Sequence, residues 1–187
     1  MTEALQMVPA TRVDPDLTWI RRMAVGDTDA LGELYARHGA GVLAYLMGRL
    51  DDRRLAEEVL QDVMLAAWEA APGFRGESKV RTWLLTIAHH RALNARRRRR
   101  LPLADEAQAT DGAGDWEGAA ERADLRSALA RLPAGQRTAL ELVFGHGLTM
   151  AEVAEVLGVA PGTVKSRLHR AKRALRAILE NEEPTDG

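Results

Sequence analysis

Residues Phe74 to Arg100 read FRGESKVRTWLLTIAHHRALNARRRRR, a Phe-Arg-Gly turn that runs into a helical pattern and ends in five consecutive arginines. Arg75, Lys79, Arg81, Arg91 and Arg96 to Arg100 set nine positive charges against the single negative charge of Glu77, in a chain of formal net charge −1. A block with that excess repels itself unless a polyanion sits nearby, and nucleic acid is the polyanion that fits best. A solvated basic face or tail is the plainer alternative. With residues set about 100° apart, Val80, Leu84, Ile87, Ala88 and Ala95 share one apolar face that packs inward. Beside it runs a second stripe of Trp83, His90, Asn94 and Arg97. Stacking rings, an amide able to read a base edge and a cation are equipment for unpaired or opening DNA. Simple core packing is the competing explanation for Trp83.

Outward from this block, composition narrows the class. A chain of 187 residues holds two small domains or one medium one. There is no apolar run long enough to cross a bilayer and no basic-then-apolar leader, so a soluble, cytoplasmic protein is expected, with no membrane insertion. The absence of cysteine excludes disulfides, thiol switches and thiolate metal ligands. Helix formers dominate and β-branched residues are scattered, which predicts an all-α fold with aliphatic cores.

Residues 1–16 hold two prolines and no sustained periodicity, and read as a loose tail. A first helix is expected from about Leu17 to Val25, stopping at Gly26. Asp27 or Asp29 caps the next, which turns Leu31, Leu34, Tyr35, Val42, Leu43, Leu46 and Leu50 inward and is bent at Gly39 and Gly41. A third helix, about Arg53 to Ala71, buries Ala56, Val59, Leu60, Val63 and Ala67, and Pro72-Gly73 ends it. Its outward face carries Arg54, Glu58, Gln61, Asp62 and Glu69 around Leu65. An apolar residue centred on a charged face is a candidate docking patch, although single exposed leucines are ordinary. Ser78 is the expected N-cap of the basic helix.

Composition then reverses. Residues 101–124 hold seven acids, Asp105, Glu106, Asp111, Asp115, Glu117, Glu121 and Asp124, against Arg122 alone. With Pro102, Gly112 and Gly114 among them, this reads as a flexible acidic linker marking a domain boundary, with Trp116 anchoring it to a second domain. That domain starts with a helix from about Glu117 to Leu132, halted by Pro133, and continues with another from Ala134 to Phe144. Thr149-Met-Ala-Glu152 is a capping-box pattern opening a helix that ends at Gly158. Pro161 then begins a last helix reaching about Glu180, with an acidic tail after it.

Two helices meeting at a short glycine turn form a helix-turn-helix. In the last helix Val164, Leu168, Ala171, Leu175 and Ile178 mark the buried face. Opposite lie Ser166, His169, Arg170 and Arg173, flanked by Thr163, Lys165 and Arg167. Six cations and no acid fall between Pro161 and Arg176, which suits a recognition helix whose early residues touch base edges while its cations hold phosphates. An ordinary basic amphipathic helix is the alternative. Ala160 offers no capping oxygen, leaving N–H groups available to a DNA phosphate.

Taken together, these segments resemble an extracytoplasmic-function (ECF) sigma factor of the sigma-70 family, over about Leu17 to Leu179. The resemblance is carried by Gly26-Asp27, Leu34-Tyr35, Glu57 to Val63 with Ala67-Trp68, Phe74 to Ser78, Arg81 to Leu84, Ile87-Ala88 and Arg91 to Leu93. In the second half it is carried by Leu132-Pro133, Leu148-Thr149, Glu152 to Ala154, Leu157 to Val159 and Gly162 to Leu168. It implies a tail at 1–16, sigma region 2 at 17–100, an acidic linker at 101–118, sigma region 4 at 119–181 and a tail at 182–187. It also implies roles. Glu58, Gln61, Asp62 and Leu65 would dock on the β′ clamp helices of RNA polymerase core, with the β flap as a further contact. Phe74, Arg75, Gly76 and Ser78 would capture a flipped base of the minus-ten element, with Lys79, Trp83, His90, Asn94 and Arg97 nearby. Thr163, Lys165, Ser166, Arg167, His169, Arg170 and Arg173 would enter the major groove of the minus-thirty-five element. The partners implied are polymerase core, promoter DNA and an anti-sigma factor, with no cofactor.

The sequence departs from the family pattern at His90, where asparagine is common, and at Lys79-Val80, which replaces a small-then-aromatic pair. His169 occupies a position that varies among members. A stand-alone helix-turn-helix regulator is the rival reading, but it has no use for a base-capturing first domain. An enzyme is the more distant one. The five histidines, His38, His89, His90, His146 and His169, show no HExxH or comparable metal-ligand spacing, and no phosphate-cradling glycine loop or nucleophile elbow is present.

Overall fold

The computed structural model describes residues 14–50, 52–100 and 127–180. These form α1 (Leu17–Ala24), α2 (Thr28–Met47), α3 (Arg53–Ala70), α4 (Val80–Arg100), α5 (Ala134–Leu140), α6 (Met150–Leu157) and α7 (Pro161–Glu180). Residues 127–130 are also helical, and no strand occurs among the described residues. The all-α expectation is met. The linker, Trp116 and both tails beyond residues 14 and 180 lie outside the described residues.

Local chemistry explains where the helices begin. The Asp27 carboxylate accepts from the Asp29 and Ala30 amides at the start of α2, and Asp52 does the same for Arg54 and Leu55 at the start of α3. In α3 the periodic stripe is buried as expected, joined by Met64, while Arg54, Glu58, Gln61, Asp62, Leu65 and Glu69 face outward. α2 runs unbroken past Gly39 and Gly41. Tyr35, expected inward, is 51% exposed. Its ring lies across Gly39, where an added Cβ would stand 3.2 Å from Tyr35 Cε2. Tyr45 fills the core instead, at a position in register with Leu34 and Val42.

The N-cap expected at Ser78 is not met. α4 begins at Val80, and the Val80 amide donates to Asp14 Oδ2 at 2.8 Å, a carboxylate supplied from 66 residues away. Residues 14–16, grouped with the tail by sequence, are therefore tied down. Asp16 is buried, paired with Arg37 at 2.9 Å and His38 at 2.6 Å.

In the second half, the helix expected to reach Phe144 changes at Glu141 into a π-helical turn, Glu141–Gly145. The capping box is formed in full: Glu152 N–H donates to Thr149 Oγ1, and Thr149 N–H donates to Glu152 Oε2 at 2.8 Å. Gly158 closes α6 with φ of 61°, a left-handed conformation that glycine takes without Cβ strain.

The two halves also pack on each other: the buried side chains form one continuous cluster running from Ile20 through Leu84 to Val164. α4 packs against α6, so the helix-turn-helix is seated on the basic helix of the first half. Neither Trp83 nor Ser166 is sealed by this packing; both are half-buried.

Candidate nucleic-acid interface

The basic block is built at the junction of α3 and α4. The 3-10 turn Ala71–Gly73 swings the chain out of α3, and Gly76, at φ of 73°, lets the Phe74–Ser78 loop fold back above Leu17. The turn brings the Phe74 ring to 4.5 Å from the Trp83 ring at an interplanar angle of 32°. Phe74 and Trp83 are half-buried, whereas Arg75, Gly76, Glu77 and Lys79 are exposed. Phe74, Arg75, Ser78 and Trp83 line an open groove of about 600 Å³, shared with Glu69, Glu77 and, from α6, Glu155. A groove with an aromatic wall and a cation at its rim can stack a base and hold its phosphate.

Of the remaining residues expected in this site, His90, Asn94 and Arg97 are exposed along α4 beyond the groove. The arginine run is partly engaged: Arg99 Nη2 stands 2.8 Å from Asp52 Oδ2. Backbone amides, that of Leu55 foremost, together with Arg99, hold Asp52 below the ordinary carboxylate range. At the other end of α4, Lys79 Nζ pairs with Glu152 Oε1 at 2.8 Å, tying the start of α4 to the capping box of α6. Burial pushes the Glu152 carboxyl up, but Lys79 and the Thr149 backbone outweigh it and leave the pKa lowered.

On α7 the expected buried face is confirmed for Val164, Leu168 and Ala171. Thr163, Lys165, His169, Arg170 and Arg173 are exposed, and Ser166 and Arg167 are half-buried. The recognition face is thus largely open, with the Arg167 guanidinium beside Gly135 of α5 and lining a cleft shared with Arg49 and His89 of the first half. Glu58, Gln61, Asp62 and Leu65 sit together on the solvent face of α3, with Leu65 56% exposed.

Sequence reasoning missed the joint between the halves. Tyr45 Oη and His89 Nδ1 are joined by a 2.8 Å hydrogen bond, and the His146 ring meets Tyr45 edge-on at 5.7 Å. Arg49 lies 3.4 Å over the Tyr45 ring and pairs with Glu141 at 3.1 Å. Burial, reinforced by Arg49, His90 and Arg167, lowers the His89 pKa to about 4. Burial with Arg81 and Arg49 does the same for His146, also to about 4. Burial raises the Tyr45 phenol to about 12. No local spacing announces these residues, because their surroundings come from the opposite half of the chain.

Comparison with known proteins respects the same division. The Sigma-70 region 2 family model matches residues 34–101 and the Sigma-70 region 4 model matches residues 122–175. The ECF RNA polymerase sigma factor SigL of Mycobacterium tuberculosis is 34% identical over 167 residues, covering 84% of this chain and 93% of that protein. Among solved structures, CnrH in complex with the cytosolic domain of CnrY superposes with a TM-score of 0.70 at 27% identity, covering 90% of this chain and 99% of CnrH. The sigma factor RpoE of Bartonella quintana, solved with the anti-sigma factor NepR, shares the fold at a TM-score of 0.63 and 24% identity, covering 81% of this chain and 98% of RpoE. On a family match across both halves and a relative aligned over most of its length, the chain belongs to the extracytoplasmic-function sigma factors of the sigma-70 family.

Proposed function

We propose that this chain binds RNA polymerase core in the cytoplasm and carries it to promoters whose minus-ten and minus-thirty-five elements are read by its two halves, without catalysis of its own. The observation that carries this reading is the stacked Phe74–Trp83 pair on an open groove at the head of the most basic helix. In the proposed roles, Phe74, Arg75, Gly76 and Ser78 form the base-capturing loop. Lys79, Trp83, His90, Asn94 and Arg97 track the displaced strand. Flipping a base costs a few kcal/mol, which contacts in the groove offset. Thr163, Lys165, Ser166, Arg167, His169, Arg170 and Arg173 enter the minus-thirty-five major groove. Glu58, Gln61, Asp62 and Leu65 dock on the β′ clamp helices, and the second half reaches the β flap. The units are region 2 at 17–100 and region 4 at 119–181, joined by the acidic linker at 101–118.

Two modest readers on one chain gain affinity once polymerase fixes their separation. For that to happen, α6 must leave α4, because Glu155 lines the groove and the Lys79–Glu152 pair ties α6 to the start of α4. An anti-sigma factor that favours the packed arrangement belongs to the proposal. Its support is the likeness to CnrH, which was solved with the cytosolic domain of CnrY bound.

Run-off transcription with purified core polymerase on a randomised promoter library tests the function. Transcripts from a restricted promoter set, dependent on this chain, are the expected result. Promoter-independent output, or failure of the chain to retain core polymerase in a pull-down, returns the weight to a stand-alone regulator.

A further inference from the structure

Between the two halves lies a cleft of about 250 Å³, lined from the first half by Arg49, His89 and Arg96 and from the second by Gly135, Thr138 and Arg167. Apolar side chains complete its walls, and no carboxylate is among its lining residues. Three guanidinium groups from three different segments of the chain thus converge on one space. Arg49 is the most confined of them, its side chain only 9% exposed. Its Nη1 donates to the Tyr45 carbonyl at 2.8 Å and faces Glu141 at 3.1 Å. Its Nε and Nη2 are buried without a hydrogen-bond partner. Buried charged donors left unpaired are rare in folded proteins, and here the side chain that carries them lines a cavity whose other polar groups are cations, an imidazole and a hydroxyl.

We infer that this interdomain cleft binds a small oxyanion of the phosphate class, inorganic phosphate or pyrophosphate, held by Arg49, Arg96 and Arg167 with the Thr138 hydroxyl as a further donor. Planar guanidinium forks match phosphate oxygens two at a time, which point charges on flexible amines do not. The volume sets the ligand size: sites for drug-sized molecules occupy roughly 300–1,000 Å³, so this cleft suits a phosphoryl group rather than a whole nucleotide. Because both halves contribute, an anion bound here favours the packed arrangement by mass action. It also occupies Arg167, which the proposed promoter complex needs, so anion and promoter compete for one side chain. The inference goes beyond the promoter-reading function and stands if that function fails.

The test is isothermal titration of the full chain with inorganic phosphate, with pyrophosphate and with a thymidine trinucleotide, at matched ionic strength and neutral pH, alongside thermal unfolding. Expected are one pyrophosphate or phosphate site per chain and a higher melting temperature with the anion present. Binding should weaken by about tenfold in Arg96→Gln and more modestly in Thr138→Val, as expected when a hydrogen bond to the ligand is lost. Arg98→Gln, in the arginine run but outside the cleft, should bind as the parent does. Both cleft variants alter lining side chains without touching the Arg49–Tyr45–Glu141 contacts. The inference is overturned by absence of saturable binding or by equal loss in Arg98→Gln, which would assign the anion to the arginine run. Trinucleotide binding as tight as pyrophosphate would also overturn it, by making the cleft a nucleic-acid backbone site.

Discussion

Trp83 bears two loads at once, because its ring stacks on Phe74 and forms a wall of the open groove beside α4. Base–aromatic stacking contributes about 1–3 kcal/mol, so Trp83→Ala should reduce promoter opening by roughly ten- to a hundredfold in a permanganate-footprinting assay, with core-polymerase binding kept. Arg170 is exposed on α7. If it reads a base, Arg170→Ala should weaken transcription from matched minus-thirty-five promoters by about 1–3 kcal/mol and spare mismatched ones; a loss equal across promoters makes it a phosphate contact. Leu65→Asp touches no core and should change stability by no more than about 0.5 kcal/mol while lowering retention by core polymerase in a pull-down. The exposure of Leu65 and Arg170 was legible because each occupies a definite phase of a periodic helix. Arg49, His89 and His146 were not legible, since nothing near them in sequence reveals the partner half that buries them.

At the scale of the element, capping decides what could be read. Thr149 and Glu152 lie within one helical turn, so their reciprocal hydrogen bonds were legible from spacing alone. Thr149→Ala should cost about 1 kcal/mol, measured as a lower urea midpoint with unchanged slope. α4 is the contrary case: its first amide is satisfied by Asp14, and a cap supplied across 66 residues leaves no local trace. The π-helical turn at Glu141–Gly145 was equally hidden. It continues a run of good helix formers, and it sets His146 against Tyr45 in the joint. Tyr35 was misplaced because an aromatic one step from Leu34 reads as core, whereas Gly39 provides a shallow seat for its ring on the surface.

The whole molecule is a pair of family regions whose packing no single region dictates. At the joint, His89 and His146 are held neutral, each with a pKa lowered to about 4 from an ordinary value near 6.5. Between those values the unfolded chain binds protons that the folded chain refuses, so stability falls as pH drops through the window from about 6.5 to 4. Urea midpoints across that range should decline with falling pH, and His89→Gln with His146→Gln should flatten the decline. On the proposed mechanism the same joint must part when polymerase separates the two readers. The chain has no native cysteine, so Ala40→Cys and Ala151→Cys, both on exposed helix positions, place one spin label on α2 and one on α6. The inter-label distance in the full-length protein, measured by pulsed electron resonance, should be short and narrowly distributed in the free chain and should lengthen when core polymerase is added. A distribution that stays the same with and without polymerase would contradict the account.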